Sequence, residues 1–124
     1  MEEINIFLDD ERNPWNFEGY DQDEWLIARN YDEFVLIIQR ILAQEISINK
    51  ISFDNDLGDI RDDREYDGYY CAKWLAENNI KFRQGIVHSW NTVAKDNIWY
   101  FLNNYLEHTN NIKVVGKIQL VLKK

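Results

Sequence analysis

Two short apolar runs in this chain stop abruptly in acid. Ile4, Ile6, Phe7 and Leu8 lead straight into Asp9-Asp10, and Ile48, Ile51 and Phe53 lead into Asp54, with Asp56 two residues further on. A near-continuous apolar run of this length reads as a strand buried on both faces, the habit of parallel sheets, and its sudden polar end marks where the strand leaves the sheet. In such sheets ligands bind beyond the carboxyl ends of the strands, where the strand order reverses. The strand-terminal residues are therefore the ones to question.

The rest of the chain fits the same scheme. Asn13-Pro14 and Gly19 punctuate a polar stretch without helical periodicity, so the first connection is a loop, and Trp25 to Ala28 then reads as a second strand. Asn30 and Glu33 have capping-box spacing, and Phe34, Ile37, Ile38, Ile41 and Leu42 recur on one helical face. Asp59 to Glu65 is too charged to pack and reads as a mobile lid. Asp67-Gly68 opens a second helix carrying Cys71, Trp74 and Leu75, and Asn78-Asn79 ends it. Ile86 and Val87 form a fourth strand running into His88-Ser89, and Ala94, Ile98, Phe101, Leu102 and Tyr105 trace a third helix. Val114-Val115 and the alternating Ile118, Leu120 and Leu122 each read as a fifth strand, with Gly116 as a bend or bulge between them.

Strands alternating with helices predict a single α/β domain over residues 1–124, built on a mainly parallel sheet covered on both faces. The 124 residues suit one core, and 45% hydrophobic content is enough to offset backbone ordering. With 22 acidic and 14 basic side chains the formal net charge is -8, which repels a duplex backbone and argues against nucleic-acid binding. Cys71 is the only cysteine, which excludes an intrachain disulfide and suits a reducing compartment. The acidic Met1-Glu2-Glu3 start and the lack of an apolar run of about 18 residues point to neither a signal peptide nor a membrane span, and so to a cytoplasmic protein.

Asp9, Asp10, Asp54 and Asp56, brought together at strand ends, would repel and raise one another's pKa unless a cation or proton neutralised them. A hard, oxygen-preferring ion suits them, magnesium first, with manganese or calcium as alternatives. The bland alternative is a set of loop acids in an acidic protein. His88 has a pKa near neutrality and suits a general acid that protonates a departing alkoxide; its alternative is a hydrogen-bonded core histidine. Ser89 and Asn91 suit phosphate oxygens or the cap of the next helix. Arg12 suits a phosphate or a neighbouring carboxylate. Trp15 and Trp90 suit stacking on a base, with packing as the default, and Lys113 or Lys117 is placed to reach the site from the last strand.

Leu8-Asp9-Asp10-Glu11-Arg12-Asn13-Pro14, Ser52-Phe53-Asp54-Asn55-Asp56-Leu57-Gly58, Tyr66-Asp67-Gly68 with Ala72 to Leu75, and Val87-His88-Ser89-Trp90-Asn91, in that order, resemble the cyclic-phosphate processing receiver domain family. The resemblance implies a flavodoxin-like three-layer sandwich with a five-stranded sheet and a reduced first crossover helix. By resemblance Asp9 and Asp10 form the acid pair, Asp54 takes the phosphoacceptor-like position, and Asp56, His88 and Asn91 match the polar positions behind the family's proposed hydrolysis of cyclic phosphates. Asn55 departs from the histidine frequent there, and Ala94 from the usual glycine.

These readings together imply a metal-dependent hydrolase of a cyclic phosphate or small nucleotide-derived phosphodiester. Asp9, Asp10 and Asp54 hold the metal, Asp54, Asp56 and His88 are catalytic, and Ser89, Asn91 and Arg12 bind phosphate. Two other classes stay open: a signalling switch phosphorylated on Asp54, and a non-catalytic domain that sequesters a nucleotide or covers a basic partner protein.

Overall fold

The structure, a computed structural model, describes residues 3–88, 92–109 and 113–117, with side chains given for 3–88 and 96–105. Strand β1 spans Glu3–Leu8, β2 Trp25–Ala28 and β3 Ser47–Phe53; a two-stranded hairpin, β4 Ile60–Arg61 and β5 Arg64–Glu65, follows, then β6 Gln84–Val87 and β7 Lys113–Lys117. Helices α1, α2 and α3 cover Tyr31–Ala43, Gly68–Glu77 and Thr92–Thr109. The main sheet has the order β2-β1-β3-β6-β7 with every pairing parallel. The order reverses around β1 and β3, and this is where ligands gather in open α/β sheets. Four strands, β2-β1-β3-β6, carry the site, and β7 pairs along the β6 edge with a register shift between Val114 and Gly116, the bulge that Gly116 suggested.

Local chemistry explains the element limits. Asn30 caps α1 by accepting from the Glu33 N–H at 2.9 Å. Glu33 reaches back to the Arg29 N–H at 3.0 Å, one residue earlier than a standard capping box. Asp67 caps α2 through the Tyr70 N–H at 2.8 Å. Asn79 sits at φ 53 just beyond α2, a left-handed turn that asparagine tolerates well.

Alternation along the strands sorts the core. Ile6, Leu8, Ile51, Phe53 and Val87 share one cluster with buried residues of all three helices, Phe34, Leu75 and Leu102 among them. Each fully buried large side chain contributes about 1.5–3 kcal/mol. The opposite side of β1 is closed by the first crossover, whose Phe17 and Tyr20 pack with the half-buried Trp25 on Phe7. That crossover holds one 3-10 turn, Pro14–Asn16, and no α-helix. The three described helices thus lie on one face, and an aromatic loop covers β1 on the other.

The charged segment after β3, read from the sequence as a mobile lid, forms a two-stranded hairpin. Asp62 and Asp63 take φ 49 and 63 at its turn, a left-handed pair that two-residue hairpin loops need. Arg61 ties it to the body, donating to both oxygens of Asp59 and both of Asp32 at the start of α1. Its guanidinium lies 4.8 Å from the Tyr66 ring centre. Arg61 thus pairs with Asp59 within the segment and with Asp32 outside it, while Asp62, Asp63, Arg64 and Glu65 stay exposed. Among the described residues, no helix is long and apolar enough to cross a membrane.

Candidate active site

Because β1 and β3 pair in parallel, with Leu8 opposite Phe53, their next residues emerge together. Asp9, Asp10 and Asp54 each place a carboxylate oxygen within 4.8 Å of the others. Asp10, Glu11, Arg12, Asp54 and Asp56 line an open cleft of about 370 Å³ above them. Asp9 and Asp54 are buried, while Asp10 and Asp56 are exposed at the rim. Asp56 accepts from the Asn55 amide at 3.2 Å.

Asp9 has both carboxylate oxygens engaged. Its Oδ1 accepts from the N–H groups of Glu11 at 3.0 Å and Arg12 at 2.8 Å. Its Oδ2 accepts from Arg12 Nε at 2.7 Å and lies 3.1 Å from His88 Nε2. Burial alone would raise this carboxyl, but the His88 bond, the two backbone N–H groups and the Arg12 charge leave it below its ordinary value. Asp9 is thus held ionised. Asp54 meets the reverse balance: burial first, then the Asp9 charge, pushes it up to about 7, with Arg12 opposing at 3.3 Å and Asp10 adding to the rise. Asp10 is raised by partial burial and by the charges of Asp9 and Glu11.

His88 lies beneath Asp9 with no exposed surface, stacked on Phe7 at 4.5 Å between ring centres. An ionised Asp9 only accepts, so His88 Nε2 carries the proton and Nδ1 accepts from Ser52 Oγ at 2.6 Å. Ser52 in turn lies 2.8 Å from the Tyr20 hydroxyl, which donates to it. Burial, ahead of the opposing bond and charge of Asp9, lowers the His88 pKa and keeps the ring neutral. This is the hydrogen-bonded core alternative weighed for His88. Both nitrogens are committed, and the side chain supports Asp9 from below.

Sequence reasoning missed three further contributors. Arg29 donates to the Asp9 carbonyl at 3.2 Å, to the Arg12 carbonyl at 2.6 Å and to the Asn13 side chain, and so clamps the loop that carries the acid pair. Ser52 was visible as a hydroxyl between the apolar Ile51 and Phe53. Gly68 is required by contact: a Cβ there would lie 2.0 Å from the Asp54 carbonyl oxygen. Trp15, assigned to packing by default, is instead 55% exposed. Ser89, Trp90 and Asn91 lie outside the described residues, as do the side chains of Ala94, Lys113 and Lys117; the Lys117 backbone pairs with Val87 at the carboxyl end of β6.

A parallel α/β sheet in this order, with acids converging at the ends of β1 and β3, defines a receiver-like domain. The pattern of the cyclic-phosphate processing receiver domain matches residues 4–104, and the chain belongs to that family. No curated protein and no solved structure matches it. Three carboxylates with oxygens this close form a hard donor set able to hold a metal ion, as receiver domains do.

Proposed function

We propose that this chain hydrolyses a small cyclic phosphate or a nucleotide-derived phosphodiester, using a divalent ion, magnesium first, held by Asp9, Asp10 and Asp54. The reading is carried by one observation: three carboxylates from two strands meet at the floor of an open cleft whose wall also presents Arg12. When bound, such an ion supplies a Lewis acid that neutralises charge on the phosphoryl group.

The chain's own side chains do the rest. Asp56, exposed on the rim, orients the attacking water and accepts its proton. Arg12 offers a planar fork to the non-bridging oxygens. Ser89 and Asn91, which follow β6 in the chain, complete the phosphate contacts. His88 acts through Asp9, holding that carboxylate ionised and oriented, and the departing alkoxide takes its proton from solvent in the open cleft.

The test is a panel of cyclic nucleotides and 2',3'-cyclic phosphates incubated with the protein, with and without magnesium. Magnesium-dependent turnover that disappears in Asp10→Asn and Asp56→Asn supports the reading. No turnover, together with a stable mass increase on Asp54 after incubation with a small phosphodonor, would replace it with the phosphoaccepting switch.

A further inference from the structure

We propose that Arg12 is the built-in cation of this site. Its guanidinium pairs with both Asp9 and Asp54 while no metal is bound, and a divalent ion must expel it, which turns it to the ligand's phosphate. The inference rests on reading Asp9, Asp10 and Asp54 as the metal site, and it assigns to Arg12 a second, mutually exclusive position in the same cycle.

The donors around Asp9 single out the group that gives way. Its Oδ1 is taken by two backbone N–H groups, of Glu11 and Arg12. Its Oδ2 is shared between His88 and Arg12 Nε. His88 is fully buried, stacked on Phe7 and bonded on its far side to Ser52, so it has nowhere to go. The Arg12 side chain keeps 20% of its surface exposed and lines the cleft. A cation that ligates Asp9 through Oδ2 therefore replaces the guanidinium.

The same exchange is required at Asp54, where Arg12 Nη2 lies 3.3 Å from Oδ1. Two like charges held a few ångströms apart over one carboxylate repel strongly in a partly buried setting. The backbone permits the swing. The Arg12 N–H stays on Asp9 Oδ1 and its carbonyl on Arg29 Nη1 at 2.6 Å, so the side chain can turn about an anchored Cα.

The exchange couples metal and phosphate binding. Without metal, the guanidinium is engaged by carboxylates and a phosphate meets uncancelled negative charge. With metal, the guanidinium turns from the carboxylates to the phosphate. Coupling of this kind is reciprocal, so phosphate strengthens metal binding by the same factor.

Magnesium titrations of the full chain by calorimetry, for wild type, Arg12→Gln and Arg12→Lys, test this, together with the Arg12 Nε–H resonance of labelled wild type. Arg12→Gln is expected to bind magnesium about tenfold or more tighter than wild type, because a competing like charge has gone. Arg12→Lys, which keeps the charge and loses the fork, falls between. Inorganic phosphate binds wild type appreciably only with magnesium, and the dependence weakens in Arg12→Gln. In wild type the Arg12 Nε–H signal shifts and exchanges faster at saturating magnesium, a readout that needs no variant to fold. An unmoved signal at saturation, or an Arg12→Gln affinity no greater than wild type, overturns the exchange while leaving the metal site standing. Absence of magnesium binding in all three proteins overturns both.

Discussion

Replacing Asp54 by asparagine isolates the electrostatic strain at the centre of the cleft. The folded carboxyl is raised from 3.8 to about 7, so across that window the folded protein keeps a proton that the unfolded chain has lost. The unfolded state therefore binds fewer protons, and wild-type stability falls as pH rises through the window. About three pKa units at about 1.4 kcal/mol each make a penalty of about 4 kcal/mol, fully present above about pH 7. Asp54→Asn removes the titration, so its stability relative to wild type should climb by about this amount between about pH 4 and pH 8. The attraction of Arg12 acts only on the ionised carboxyl and already holds the folded value down, so the penalty is what remains after that ion pair is counted.

Two neighbours also titrate but cancel in the difference. Asp9 is lowered, so its contribution is present above the ordinary carboxylate range and is lost only as pH falls below it. His88 is lowered from 6.5, so the unfolded chain takes a proton first as pH falls and wild type loses stability there, opposing the Asp54 slope. Both groups are common to the two proteins. The assay is urea unfolding at half-unit pH intervals with a chelator in excess, which keeps divalent ions from masking the carboxylates. Parallel stability curves for wild type and Asp54→Asn over this range would refute the reasoning.

Gly68→Ala should cost about 3 kcal/mol in urea unfolding, since its Cβ would meet the Asp54 carbonyl at 2.0 Å and backbone must move to admit it; a neutral result would mean that α2 shifts freely. Ser52→Ala strips the donor from His88 Nδ1 and should destabilise by about 1–3 kcal/mol, with the His88 ring-nitrogen NMR signals reporting whether the tautomer survives. Arg29→Ala should leave the fold intact and loosen the loop from Asp9 to Asn13, seen as faster amide exchange at Glu11 and Arg12; unchanged exchange would show that the Asp9 side chain alone holds the loop.

Much of the frame was legible from the residues because its causes are local. Apolar runs ending at Asp9 and Asp54 marked the carboxyl ends of β1 and β3, and period and caps placed α1 and α2 to within a residue or two. The absence of periodicity between Asn13 and Gly19 correctly signalled a first crossover without an α-helix. For the Asp59 to Glu65 segment composition recorded the charge but not the pairing, and Arg61 with Asp32 and Asp59 ties the hairpin to the start of α1.

What the chain alone determined, then, is which residues end the strands and that their acids share one edge of the sheet, since strand direction and side-chain alternation follow from neighbouring residues. Only the tertiary structure decided depth and partnership: that His88 lies under Asp9 and away from the cleft, that Tyr20 and Ser52 orient it, and that Arg12 spans two carboxylates. Those contacts join residues up to 79 positions apart. Their energies depend on which groups are shut away from water together, a property of the packed whole and of no segment of it.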